Sequence, residues 1–162
     1  MKELQLEEFL ERLKEFLSGD ESIVACVGTE LRSDDAVALK LCEILEKRFG
    51  ESRLLKCYGG LESCSSEIIE RRSRKIAVVD AFWMETVEPG KVFLLSPEEA
   101  GGGFAWSHRM PFRIIIDMLR KRGDVREIAL FGISCSDLSF GEELSAPLKL
   151  FLEKVERILE KG

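Results

Sequence analysis

Three sites in this 162-residue chain combine residue type and setting in a way that could support chemistry. The turn Gly28-Thr29-Glu30-Leu31-Arg32-Ser33-Asp34-Asp35 carries paired aspartates between an apolar run and a helical pattern. Asp80 ends the apolar run Ile76 to Val79, and His108, the only histidine, lies in Trp106-Ser107-His108-Arg109-Met110-Pro111. Two carboxylates and an imidazole suit a hard-to-borderline divalent metal, and three protein ligands leave positions open for substrate or water. Each has a plainer reading as well. Carboxylates at a helix start complement its dipole by about 0.3–1 kcal/mol, a strand-end aspartate can cap a turn, and a lone histidine is most often structural or exposed.

Other chemistries fit less well. A dinucleotide loop needs Gly-x-Gly-x-x-Gly so that backbone can approach a pyrophosphate, whereas this turn has only Gly28 and would repel phosphate with Glu30, Asp34 and Asp35. The five cysteines (Cys26, Cys42, Cys57, Cys64, Cys135) are an odd number with no CxxC pair, so they predict neither a disulfide framework nor a zinc ribbon, and most read as small buried hydrophobes. A thiol nucleophile also wants an adjacent base, which Cys57 and Cys64 lack. The net charge of -6 argues against nucleic-acid or membrane-surface binding. The basic stretch Arg71-Arg72-Ser73-Arg74-Lys75 reads as a solvated helix end, and Arg109 and Arg113 are candidates to meet an acidic client. No apolar run approaches the ~20 residues of a bilayer span, and the acidic N-terminus reads as neither a secretory signal nor a transit peptide, so a cytoplasmic protein is expected.

The elements that must position these residues follow from periodicity. Leu6, Phe9, Leu10, Leu13, Phe16 and Leu17 predict an amphipathic helix stopped at Gly19. Ile23 to Val27 reads as a central strand buried on both faces, and Ser33 as the cap of a helix reaching about Arg48. Strands at Leu54 to Tyr58, Ile76 to Val79, Lys91 to Leu95 and Ile128 to Ile133 alternate with helices at 62–72, from Pro111, and from about Ser145. Gly101-Gly102-Gly103 marks a loop. With 45% hydrophobic and 33% charged residues, the chain reads as one α/β domain, 1–162, a three-layer α/β/α sandwich around a mostly parallel sheet of about five strands. Ligands bind such sheets beyond the carboxyl ends of the strands, where Asp80 and the first turn fall if their strands are neighbours.

In order along the chain, Gly28 to Asp35, Val78-Val79-Asp80-Ala81, Glu88-Pro89-Gly90, Ser107 to Pro111 and Phe131-Gly132-Ile133 resemble the hydrogenase maturation endopeptidases. The resemblance runs from about Ile23 to Leu159, leaving residues 1–19 as an added helix before a core at 22–161. The segment His108-x-Met110-Pro111 is most similar to the type serving formate-linked or energy-conserving hydrogenases. The resemblance implies a phosphorylase/hydrolase-like mixed sheet in order 2-1-3-5-4, with strand 4, at Lys91 to Leu95, as the antiparallel edge. It also implies that Asp35, Asp80 and His108 are the metal-contacting and catalytic residues. Thr29 and Ala36 stand where the family usually has Asn and Gly, and Ser134-Cys135 replaces a Gln-Pro pair.

By that resemblance the activity is removal of a short C-terminal peptide from the large-subunit precursor of a nickel-iron hydrogenase by an aspartic-type, metal-dependent endopeptidase. The resemblance implies that nickel arrives as a cofactor of the precursor, held by its cysteine thiolates, and that the enzyme alone is metal-free; a monomer is the default expectation. Soft thiolates grip nickel firmly and a carboxylate–imidazole set only loosely, so metal loading would license cleavage. A rival reading is a non-catalytic, metal-sensing binding module or chaperone for the same client.

Overall fold

The computed structural model describes residues 1–99, 105–106 and 112–162. Its elements in chain order are β1 (Lys2–Leu4), α1 (Leu6–Ser18), β2 (Ser22–Gly28), α2 (Val37–Phe49), β3 (Leu54–Tyr58), α3 (Ser65–Glu70), β4 (Lys75–Trp83), β5 (Val92–Leu95), β6 (Ala105–Trp106), α4 (Phe112–Gly123), β7 (Glu127–Ser134) and α5 (Ala146–Lys161). The sheet runs β1-β5-β7-β4-β2-β3, with β6 paired to the end of β4. β2, β3, β4 and β7 are mutually parallel, whereas β5 is antiparallel to β7. The strands expected from the sequence therefore take the expected order.

The edge differs. Lys2–Leu4 pairs antiparallel with β5, so Val92–Leu95 is an inner strand and the N-terminal segment forms the rim. Three residues carry too little periodicity to announce a strand, and only the exposed edge of β5 gives them a partner.

Alternate residues of the central strands feed two cores, as the twofold period of a strand requires. Val24, Cys26, Ala77, Val79, Phe131 and Ile133 meet α1, α2 and α5 on one face. Ile23, Ala25, Val27, Ile76, Val78 and Leu130 meet α3 and α4 on the other. α1 is an integral part of the first core: Phe9 is fully buried and meets Phe131 edge-on at 5.3 Å between centroids. Three layers result, with both faces of the sheet covered.

Two boundaries shift where the site lies. β4 continues through Asp80 to Trp83 because β7 pairs with it as far as Phe82 and β6 pairs with Phe82 and Trp83. Ser33 does not cap α2. A 3₁₀ turn, Ser33–Ala36, comes first, and the helix starts at Val37 with no side-chain cap.

Candidate functional site

The region at the carboxyl ends of β2 and β4 is built from residues that leave no slack. Gly28 ends β2, and a Cβ there would lie 2.1 Å from the carbonyl oxygen of Asp35, so only glycine lets the turn fold back this closely. The turn then closes on itself. Thr29 N–H donates to Asp35 Oδ2 at 3.0 Å, and Asp35 N–H donates to the Arg32 carbonyl at 2.9 Å. Asp35 is 1% exposed.

Asp34 does something different from its neighbour. It is fully buried, and its carboxylate accepts from the N–H groups of Ser136 (2.8 Å), Asp137 (2.9 Å) and Ser145 (2.7 Å) and from the Ser145 hydroxyl (2.7 Å). Main-chain bonds run alongside it: Asp34 N–H to Asp137 O, Ser33 N–H to Gly141 O and Gly141 N–H to Leu31 O. Arg32 Nε adds a bond to Leu138 O. The turn after β2 is thus laced to the segment between β7 and α5. Ser33, at φ 44°, sits in left-handed backbone that costs an L-residue about 1–2 kcal/mol and persists only where its surroundings fix it. The sequence reading of these aspartates as dipole complements does not describe Asp34, whose partners are 102 to 111 residues away.

Asp80 is fully buried inside β4, opposite Gly132 of β7. Since Cys26 pairs with Val79, Asp80 lies one residue beyond the last registered pair with β2, at the level where that strand turns out toward Asp35. Cys135, one residue past β7, ties the acids together. Its thiol is pushed up to about 12 by burial and then by the charges of Asp34, Asp35 and Asp80. Three carboxylates from two remote stretches therefore share one small volume. The sequence reading gave Cys135 no role at the site; its only signal was its place just after the strand that pairs with β4.

His108 lies outside the described residues, as do the Gly101-Gly102-Gly103 loop, Arg109, Met110 and Pro111. Among the described residues no group of three His, Cys, Asp or Glu side chains is arranged to hold a metal ion. The structure thus brings Asp35 and Asp80 to one end of the sheet and leaves their third expected partner undescribed.

One expectation is overturned. Cys57 and Cys64 form a disulfide, with 5.5 Å between their Cα atoms. The pairing closes the short loop through Gly59 and Gly60, both at positive φ, where the chain reverses from β3 into the 3₁₀ turn Leu61–Cys64. Sequence spacing alone cannot indicate this, because the reversal that makes the thiols neighbours is set by tertiary packing. Cys26, Cys42 and Cys135 are free and buried, as read from the sequence. A thiol protonated to about 12 makes a poor nucleophile, which removes Cys135 from nucleophilic catalysis as well.

Large apolar side chains gather around this end of the molecule. Leu31 in the turn is 61% exposed and Phe140, in the segment laced to it, 86%. Tyr58 and Trp83, the last residues of β3 and β4, are exposed too. Among the described residues no helix is long and apolar enough to cross a membrane.

Comparison with known proteins fits this geometry. A family model described as hydrogenase maturation protease matches residues 59–161. Among solved structures, the [NiFe] hydrogenase maturation protease HycI from Thermococcus kodakarensis KOD1 is 26% identical, with a TM-score of 0.71 over 93% of this chain and 95% of that one. HybD from Thermococcus kodakarensis is 25% identical (TM-score 0.67; 86% and 96% of the chains), as is the endopeptidase HycI from Escherichia coli (TM-score 0.67; 86% and 88%). No curated protein sequence matches.

Proposed function

The chain belongs to the hydrogenase maturation protease family, and from that membership we propose how it removes a C-terminal peptide from the large-subunit precursor of a nickel-iron hydrogenase. Nickel belongs to the substrate, held by precursor thiolates. Asp35 and Asp80, with His108 as third ligand, complete its coordination weakly. The observation that carries this reading is the convergence of two buried carboxylates, one inside β4 and one in the turn that follows the adjacent parallel strand β2, beside a thiol that feels both. Buried carboxylates favour a cation that reaches them, so a nickel-loaded precursor is gripped more firmly than an empty one.

Once docked, the precursor's nickel polarises the scissile carbonyl or an attacking water; one of the two carboxylates accepts the proton from that water and returns it to the amine that leaves as the C–N bond breaks. The aspartic-type and metal-dependent descriptions then name two halves of one mechanism, with the metal supplied by the client. The segment His108-x-Met110-Pro111 supports a formate-linked or energy-conserving hydrogenase as that client. Leu31, Tyr58, Trp83 and Phe140 offer the apolar contact surface that a folded precursor needs.

The test is mass measurement of nickel-loaded and nickel-free precursor after incubation with the purified protein. Loss of a C-terminal fragment from the loaded form alone is expected. Asp80→Asn keeps the shape of the site and should lower the cleavage rate by about 10²–10⁴ while the fold persists, the range for a lost proton-transfer group. His108→Ala should abolish the shift. Cleavage of the nickel-free precursor at an equal rate, or an Asp80→Asn enzyme as fast as wild type, would refute the mechanism.

A further inference from the structure

We propose that Asp34 is the positioning residue of this site, an acid that touches neither metal nor substrate and instead fixes the turn on which Asp35 rides. The proposal rests on the role given to Asp35 above. An ionised carboxylate has about four acceptor sites, and Asp34 receives four donors from the chain itself: Ser136 N–H, Asp137 N–H and the Ser145 hydroxyl at Oδ2, and Ser145 N–H at Oδ1. Oδ2 is thus saturated by three donors and Oδ1 holds the fourth, so this fully buried carboxylate is committed to the chain rather than offered to an arriving nickel. Two adjacent aspartates of equal chemistry are thereby assigned opposite tasks by the donors around them.

The geometry shows what Asp34 holds in place. The turn it anchors contains Ser33 in left-handed backbone, a conformation an L-residue leaves when released. Asp35 follows directly, its carbonyl packed against Gly28 and its Oδ2 accepting from Thr29 N–H. On the far side, the donors belong to the start of the segment after β7 and to the residue preceding α5, both anchored to buried elements. Asp34 thus transmits the rigidity of β7 and α5 to Asp35. A displacement of about 1 Å at a reacting group can cost 10²-fold in rate, so the anchor matters to turnover beyond its part in folding.

The decisive variant is Asp34→Asn, which has the same shape but, whichever oxygen it replaces, sets an amide NH₂ against at least one backbone N–H that can only donate. In cleavage of nickel-loaded precursor its kcat should fall at least 10-fold while KM stays within twofold. Hydrogen exchange at Thr29 N–H should quicken at least 10-fold, with Ala25 in β2 unchanged. Ser145→Ala removes one donor and should shift both readouts the same way by about two- to fivefold; it decides the matter if Asp34→Asn does not fold. A folded Asp34→Asn protein with wild-type kcat and unchanged Thr29 exchange would overturn the assignment, as would an unaffected Ser145→Ala if Asp34→Asn does not fold. Failure of the wild-type protein to cleave the loaded precursor would instead count against the functional reading, and the exchange at Thr29 would still judge Asp34.

Discussion

A methyl group added at Gly28 would meet the Asp35 carbonyl at 2.1 Å, and backbone cannot swing aside as a flexible side chain can. Gly28→Ala is therefore expected to destabilise by about 1–3 kcal/mol, the usual cost of overpacking, and to slow cleavage by displacing Asp35. Chemical denaturation and the precursor assay measure the two effects; an unperturbed Gly28→Ala protein would contradict the closeness of the turn. Cys135 gives a second residue-scale prediction. Its thiol is held protonated up to about 12 by burial and by three neighbouring carboxylates, so iodoacetamide at pH 8 should leave it untouched in the folded protein and label it after unfolding. The linkage has a definite sign. An unfolded cysteine loses its proton near pH 8.5, so the stability that comes from keeping the native thiol neutral is complete below that pH and drains away as pH rises toward 12. Labelled-peptide mass spectra and a pH series of unfolding midpoints test both parts.

Among the elements, the reversal from β3 to α3 is closed by Cys57 and Cys64, seven positions apart. A loop this short restricts the unfolded chain by about 2–3 kcal/mol on the chain-entropy view. Cys57→Ser with Cys64→Ser, or simple reduction, should lower the urea midpoint accordingly without altering the order of the sheet. The loop also borders the site, since Gly59 N–H donates to the Gly28 carbonyl at 2.9 Å. Reduced protein should for that reason cleave more slowly near its unfolding midpoint but normally well below it. Equal urea midpoints for oxidised and reduced protein would show that the bridge contributes nothing. The helices need no such aid: α1, α2 and α5 bury Phe9, Leu41 and Phe151 against one face of the sheet.

At the scale of the whole molecule, one end differs from the rest. The carboxyl ends of β2, β3, β4 and β7 carry the buried acids and, around them, the exposed Leu31, Tyr58, Trp83 and Phe140. Leu31 and Phe140 stand on segments fixed by hydrogen bonds rather than on free loops, so their exposure is a built feature. Leu31→Glu with Phe140→Glu should raise KM for the precursor about 10-fold at unchanged kcat. Stability should stay within about 0.5 kcal/mol, as expected for exposed positions. A KM equal to that of wild type would place the docking face elsewhere.

The inner strands and the placement of Asp80 at the end of a buried apolar run could be read from the chain because they rest on local patterns, apolar runs flanked by turn residues; the order of those strands was implied by the family resemblance. The motif pieces between Gly28 and Ile133 also carried the family resemblance. Four features could not be read that way. β1 exists only because β5 offers an edge, and β4 outruns its apolar core because β6 and β7 pair beyond it. Cys57 finds Cys64 only once the chain has reversed, and Asp34 differs from Asp35 only through donors more than 100 residues away. Local composition fixes which elements form and which face each buries; the partner of a given carboxylate or thiol is fixed by contacts distant in sequence, which arise only when those elements assemble.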